Sequence, residues 1–439
     1  MKRIATLVLA MVFVCGIAAP VRADVVTDWN AQMLRAALIA GTNPTSTTRV
    51  AAMVQAAMFD AINGINPRYT HIYIPPGATA VGSQRAAAMQ AAYAMLSKLY
   101  GASPANPAQV ALDARRIISL AEIAEDESAA SIASGVAWGQ KVADDIFTIR
   151  STDGFTNTAA YPDNLNIGQW RRTPNLPVAP TLSVAGAGYL MVSTQTPWVM
   201  SSPWQFRPGP PPAVTTVRYA TEFNETKTMG SQFSSARSPA QTNNALFWNA
   251  GTASYLWNQV ALTLIEKNNH DRDRNDGWSN GQRNTLLENA RLLAEIGLAM
   301  ADAAIACWDA KYEYHYWRPI TAIRETADDG NAATTPDPAW VPMFATPGHP
   351  EYPSGHSCVS GAAAAVLADE FGERTHFTMT SDLMLGYEQS YRSIQEALVA
   401  VGEARIFSGI HFRTAIDVGQ ALGKEVAGFV LQERFQRIQ

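Results

Sequence analysis

Charge is scarce in this 439-residue chain. Only 16% of residues are Asp, Glu, Lys or Arg, against 47% hydrophobic. That balance excludes a highly charged disordered chain and points to a globular protein with a substantial core. Beyond the N-terminus, no uncharged stretch reaches the ~20 residues that a membrane span needs. There is no short internal repeat and no low-complexity tail. Strand signals are few, with "THIYIPP" (residues 70–76) the one candidate, whereas Ala-rich runs such as "AAMVQAAMFDAI" favour helix. The expected class is mainly α.

Cysteine is also rare, at three residues. Cys15 lies in an N-terminal segment with its own logic. Lys2 and Arg3 precede an apolar run over residues 4–19, and Val21-Arg22-Ala23 forms a small-residue cleavage site. This is the pattern of a secretory signal peptide cut after Ala23. It predicts a secreted or periplasmic protein with no stable membrane anchor. Without residues 1–23 the chain holds 30 basic and 38 acidic residues, a net charge of −8. Such a protein suits neither a nucleic-acid partner nor an anionic membrane. A local cationic cluster in it looks like a site. Cys307 and Cys358 remain in a compartment that permits disulfides, and a bridge and two buried thiols are both consistent with the sequence.

Residues 27–65 read as two helices broken between Gly41 and Thr47, the second capped by Thr47 or Thr48. Residues 83–101 and 106–149 read as further helices. From 151 to 217 Gly, Pro, Trp and Ser dominate, as in "PWVMSSPWQFRPGPPP". This is an ordered cover rather than a linker, expected to shape a site entrance through Trp198, Trp204 and Phe206. Helical texture returns at residues 219–228 and from 239 to the end. "NHDRDRNDGW" is close to a calcium loop, but its Gly comes one place late and position twelve lacks Glu, so it reads as a solvated loop. The expected organisation is a signal peptide (1–23), N-terminal helices with the cover (24–217) and a C-terminal helical bundle with the site (218–439), in one globular unit.

Three segments carry chemistry. In "KYEYHYWRPI", Lys311 and Arg318 stand seven apart, close to two helical turns, which places two cations on one face if the helix continues. An anion between them would offset their repulsion. In "HPEYPSGHSCVSGAAAAVLADE", Ser354, Gly355 and His356 open an Ala-rich helix whose free N–H groups and dipole favour an anion. In "EARIFSGIHFRTAIDVGQ", Arg405 and His411 are six apart, so Arg405 ends one helix and His411 begins the next across Ser408-Gly409. Three cations, a helix N-terminus and two His together suit a tetrahedral oxyanion.

The order K-x6-RP, PSGH, R-x5-H resembles the vanadium-dependent haloperoxidases, which share their fold and anion site with the type 2 phosphatidic acid phosphatase and bacterial acid phosphatase superfamily. "GQWRRTP", "FRPGPPP" and "RSPAQTNNALFW" extend the resemblance across most of the chain after residue 23. It implies a helical bundle around vanadate, with phosphate able to occupy the same site. By resemblance, Lys311, Arg318, Ser354, Gly355 and Arg405 hydrogen-bond vanadate oxygens, and His411 binds vanadium. His356 is the acid–base residue, and Lys311 polarises bound peroxide. The implied partners are hydrogen peroxide, a halide and a small organic acceptor, with a homo-oligomer allowed. Trp308 and His349 match the halide pocket, and His at 349 points to bromide over chloride.

Two departures stand out. The family's Ser before the third-motif Arg is Ala404 here, and the Asp that usually follows its last His is Ala415. The group that orients His411 is therefore open, with Asp417 or a backbone carbonyl as substitutes. Asp302 and Glu313 have no assigned role. The alternative function is an exported acid phosphatase or phosphatidic acid phosphatase-like phosphomonoesterase with His411 as nucleophile. A non-catalytic anion-binding protein is a third reading, which retention of both His356 and His411 disfavours.

Overall fold

The computed structural model describes residues 24–101, 106–157, 161–177, 186–273, 285–325 and 329–438. The signal-peptide expectation lies outside the described residues. So does most of the stretch read as a solvated loop, although its first residues, up to Asp273, continue a helix.

The mainly α expectation holds. In chain order the helices are α1 (Val25–Ile39), α2 (Pro44–Ile65), α3 (Gln84–Tyr100), α4 (Pro107–Ile123) and α5 (Ala129–Arg150), then α6 (Val217–Met229), α7 (Pro239–Asn249) and α8 (Ala253–Asp273). After them come α9 (Leu286–Tyr314), α10 (Pro319–Glu325), α11 (Gly355–Phe371), α12 (Ile394–Phe407) and α13 (Arg413–Glu433). Local chemistry sets the starts. The cap of α2 is Asn43, earlier than Thr47 or Thr48, because its Oδ1 accepts the Ser46 N–H at 3.0 Å and Pro44 has no N–H to satisfy. Thr285 and Glu288 form a reciprocal capping box on α9.

Helix α9 is the central element. It is buried on nearly every side over 29 residues, as expected for a helix within a core. It packs against α2 of the first layer, in which α2, α3 and α5 lie together, and against α11 and α13 of the second. One hydrophobic cluster runs from Val26 to Phe435 across both layers.

The strand expected at residues 70–76 is not formed. The Asp60 carboxylate instead accepts the N–H groups of Ile72, Tyr73 and Ile74 at 2.8, 2.8 and 3.0 Å, taking the place of a ladder partner. Among the described residues the strands are β1 (Phe377–Thr380) and β2 (Glu388–Tyr391), an antiparallel pair inside a region read as helical.

Asp302 of α9 repeats the Asp60 device. Its carboxylate accepts the N–H groups of Trp198, Val199 and Met200 at 2.7, 2.8 and 2.9 Å. Two turns further on, Asp309 takes two bonds from Arg207 at 2.7 and 2.8 Å, and one turn beyond it Glu313 pairs with the same Arg at 3.0 Å. The Pro/Gly/Trp-rich cover is thus fastened to α9 by Asp302 and Glu313, which the sequence left without a role, and by Asp309.

Candidate active site

The site forms where α9 ends. Lys311 lies in its last turn, and His315 closes it in the left-handed conformation, at φ 52°. The single helical face expected for Lys311 and Arg318 therefore does not exist. Arg318 precedes Pro319, whose ring disfavours helical backbone at the residue before it, and α10 restarts at Pro319. The two cations still converge, because both reach the loop at 349–353. Lys311 Nζ donates to the carbonyls of Pro350 and Glu351 at 3.0 and 2.9 Å, and to that of Pro353. Arg318 Nε donates to the His349 carbonyl at 2.8 Å and Nη1 to the Ile410 carbonyl at 2.9 Å. Both side chains are fully buried.

The second segment behaves as expected. Ser354 caps α11, its Oγ accepting the Ser357 N–H at 3.4 Å. Gly355 is required by packing: a Cβ there would sit 2.7 Å from the Trp308 ring. His356 follows in the first turn. Its Nε2 is buried without a protein partner, while the Gly251 backbone carbonyl holds the other ring nitrogen.

In the third segment α12 ends at Phe407, Gly409 takes φ 76°, and His411 stands two residues before α13. Arg405 is buried with Nε and Nη1 unpartnered; its Nη2 reaches Asn249 Oδ1 at 3.3 Å. His411 Nδ1 lies 2.8 Å from Glu351 Oε1, which also accepts the Phe412 N–H at 2.9 Å. This answers the open question of orientation: neither Asp417, which is exposed, nor a carbonyl holds the ring. Glu351 stands three residues before Ser354 in the PSGH segment. Its position was visible, but no spacing rule links it to a His sixty residues later.

A cavity of about 90 Å³ opens between these segments, lined by Gly355, His356, Arg405 and His411, by Tyr189, Trp308 and His349, and by residues of α2 and α8. Lys311, Arg318 and Ser354 lie behind its wall. Arg318 Nη1 is 3.2 Å from His411 Nε2 and Nη2 is 3.1 Å from His349 Nδ1. The His349 ring packs on Trp308 at 5.1 Å and on Tyr189 at 5.5 Å. The cover reaches the cavity through Tyr189. The three aromatics named for that role do not line it: Trp198 packs on Tyr73 and Arg150, Phe206 on Phe429, and Trp204 is 61% exposed. Cys307 and Cys358 are buried free thiols beneath the site.

Burial dominates the electrostatics. It lowers Lys311 to a pKa of about 8, Arg405 to about 9 and Arg318 to about 10, so all three stay cationic at neutral pH. Burial, reinforced by these cations, pushes His349, His356 and His411 well below the usual imidazole range. It raises Glu351 to about 7. His411 is therefore neutral: its Nε2 accepts from Arg318 Nη1 at 3.2 Å, which leaves the proton on Nδ1 to be donated to Glu351. The donor set is cations plus neutral imidazoles. Among the described residues no cluster of three or more His, Cys, Asp or Glu could enclose a bare metal cation. Unpartnered N–H groups on a buried cation instead fit a tetrahedral oxyanion.

The fold is that of the vanadium haloperoxidase helical bundles. Over 94% of this chain and 97% of the other, it superposes on a bacterial vanadium-dependent iodoperoxidase with a TM-score of 0.75 at 24% identity. It also superposes on a bacterial vanadium-dependent chloroperoxidase (holo-type) over 89% and 91% of the two chains, with a TM-score of 0.67 at 15% identity. Residues 291–439, which hold every charged site residue, match the family model of the VCPO second helical-bundle domain. In sequence the chain is 30% identical over 157 residues to the vanadium chloroperoxidase of Curvularia inaequalis, a match over 32% of this chain and about a quarter (24%) of that enzyme. Among the described residues, no helix is long and apolar enough to cross a membrane.

Proposed function

We propose that this chain is an exported vanadate-dependent haloperoxidase. It would take hydrogen peroxide, a halide and a proton to a hypohalous acid and water, with a small organic acceptor then halogenated. The observation that carries the reading is Arg405, a buried cation with two unpartnered nitrogens, which lines one cavity with His411 and with His356, whose Nε2 is likewise unpartnered. Bound vanadate would supply a Lewis-acidic centre that activates peroxide for attack by halide.

The residues divide the remaining work. Glu351 fixes the His411 tautomer and raises the basicity of Nε2, the nitrogen that would bind vanadium. Arg405 and the first turn of α11 at Gly355 would neutralise the oxygens, with Lys311 and Arg318 adding positive potential from behind. The low pKa of His356 leaves Nε2 free to take a proton from peroxide and return it to the departing oxygen. His349, Trp308 and Tyr189 give the cavity an uncharged wall, and its low polarity favours entry of the less strongly hydrated halide, which supports bromide over chloride.

The neutral, carboxylate-held His411 also suits a second reading, in which it attacks a phosphate monoester as nucleophile and His356 protonates the leaving alcohol. A paired assay separates the two. Orthovanadate-dependent bromination of a phenol dye with peroxide, abolished in His411→Ala, supports the peroxidase. Phosphate release that vanadate inhibits, with no bromination, overturns it.

A further inference from the structure

Part of the cavity lining comes from α2 and α8, helices outside the segments that supply the cations. Three aliphatic hydroxyls line it: Thr45, Thr48 and Ser254. Two of their protons are committed. Thr45 Oγ1 donates to Asn43 Oδ1 at 3.0 Å, and Thr48 Oγ1 to the Thr45 carbonyl at 2.7 Å. Ser254 is 1% exposed and its Oγ has no hydrogen-bond partner. It stands in the first turn of α8, a 21-residue helix whose first backbone bonds run from Leu256 back to Thr252. The N–H groups of Ala253 and Ser254 precede that bond, and the positive end of the helix dipole meets the cavity there.

We propose that Ser254 and the first turn of α8 form the seat of the halide. A hydroxyl with an uncommitted proton, a helix N-terminus and an apolar flank from Ala304 and Val359 suit a monovalent, weakly hydrated anion. The Gly251 carbonyl that holds His356 lies three residues before Ser254, at the entry to α8, so this segment would couple the halide seat to the acid–base residue. This inference rests on the haloperoxidase reading for the identity of the anion.

The test is crystallography of the full chain with bromide or iodide, read by anomalous scattering, beside kinetics of Ser254→Ala. The expected result is a halide peak in contact with Ser254 Oγ, reduced in Ser254→Ala. With it, the halide KM should rise about tenfold, kcat and vanadate affinity staying near wild type. A peak seated on Trp308 and His349 instead, no peak in the cavity, or an unchanged halide KM would overturn the proposal. The diffraction arm needs no turnover. If neither vanadate binding nor bromination is found, the functional reading fails, while the peak still decides whether Ser254 seats an anion.

Discussion

Glu351 Oε1 and His411 Nδ1 lie 2.8 Å apart, although sixty residues separate them in the chain. The contact sets which ring nitrogen of His411 keeps its lone pair. It also joins the segment that caps α11 to the segment that starts α13. Replacing Glu351 by Gln keeps an acceptor for Nδ1–H but removes the charge that raises the basicity of Nε2. Vanadate affinity should fall 10- to 100-fold, as for carboxylates that hold metal-bound His elsewhere. Isothermal titration of the purified variant with orthovanadate checks this; affinity within twofold of wild type would show that Glu351 does not tune the ligand.

Arg405 carries charge without enough partners to stabilise it. Arg405→Met should leave thermal stability equal to wild type or higher, because a buried, incompletely bonded cation is replaced by an apolar side chain of similar length. Affinity for a tetrahedral oxyanion should drop at least tenfold. A melting curve and a tungstate titration read both effects. A variant that melts lower and binds normally would assign Arg405 to structure alone.

The depressed pKa of Lys311 predicts a pH profile. Burial lowers it from 10.5 to about 8 in the free protein, whereas a bound anion stabilises the charged form. Binding above pH 8 is therefore coupled to proton uptake, and affinity falls as pH rises, with log K approaching a slope of −1 until the Arg groups contribute. Below pH 8 the slope should be near zero. Tungstate, which does not titrate in this range, is the suitable ligand, and Lys311→Gln should flatten the step.

Asp302 should matter for the cover. Its carboxylate accepts three consecutive N–H groups from residues 198–200, and Asn offers one oxygen and a donor in its place. Asp302→Asn should cost about 1–3 kcal/mol and raise hydrogen exchange at Trp198, Val199 and Met200. Unchanged protection there would mean that the segment is held by its other contacts.

Much of the chemistry was legible in the order of residues. The Lys, Arg and His of the three segments, the Ser cap at 354 and the helix break before His411 all follow from short-range rules of propensity, capping and turn formation. The helical class follows from Ala-rich periodicity and few strand signals. These are local properties, so a linear chain displays them.

What remained hidden depends on partners distant in sequence. Asp60, Asp302 and Glu351 each place a carboxylate where burial makes any unpaired charge costly, and each finds backbone or ring N–H groups that no spacing rule connects to it. The same holds for Lys311 and Arg318. A shared helical face would have brought them together locally, but Pro319 breaks the helix, and the carbonyls of 349–353 draw both cations to one place. The sequence by itself determined which groups are available to bind an oxyanion and which segments are helical. Tertiary structure alone decided that Arg405 faces the cavity while Lys311 and Arg318 stand behind it, that Tyr189 is the cover's reach into the site, and that His411 is held by Glu351. Those choices turn on desolvation and hydrogen-bond satisfaction in a closed interior, which act only once the helices have packed.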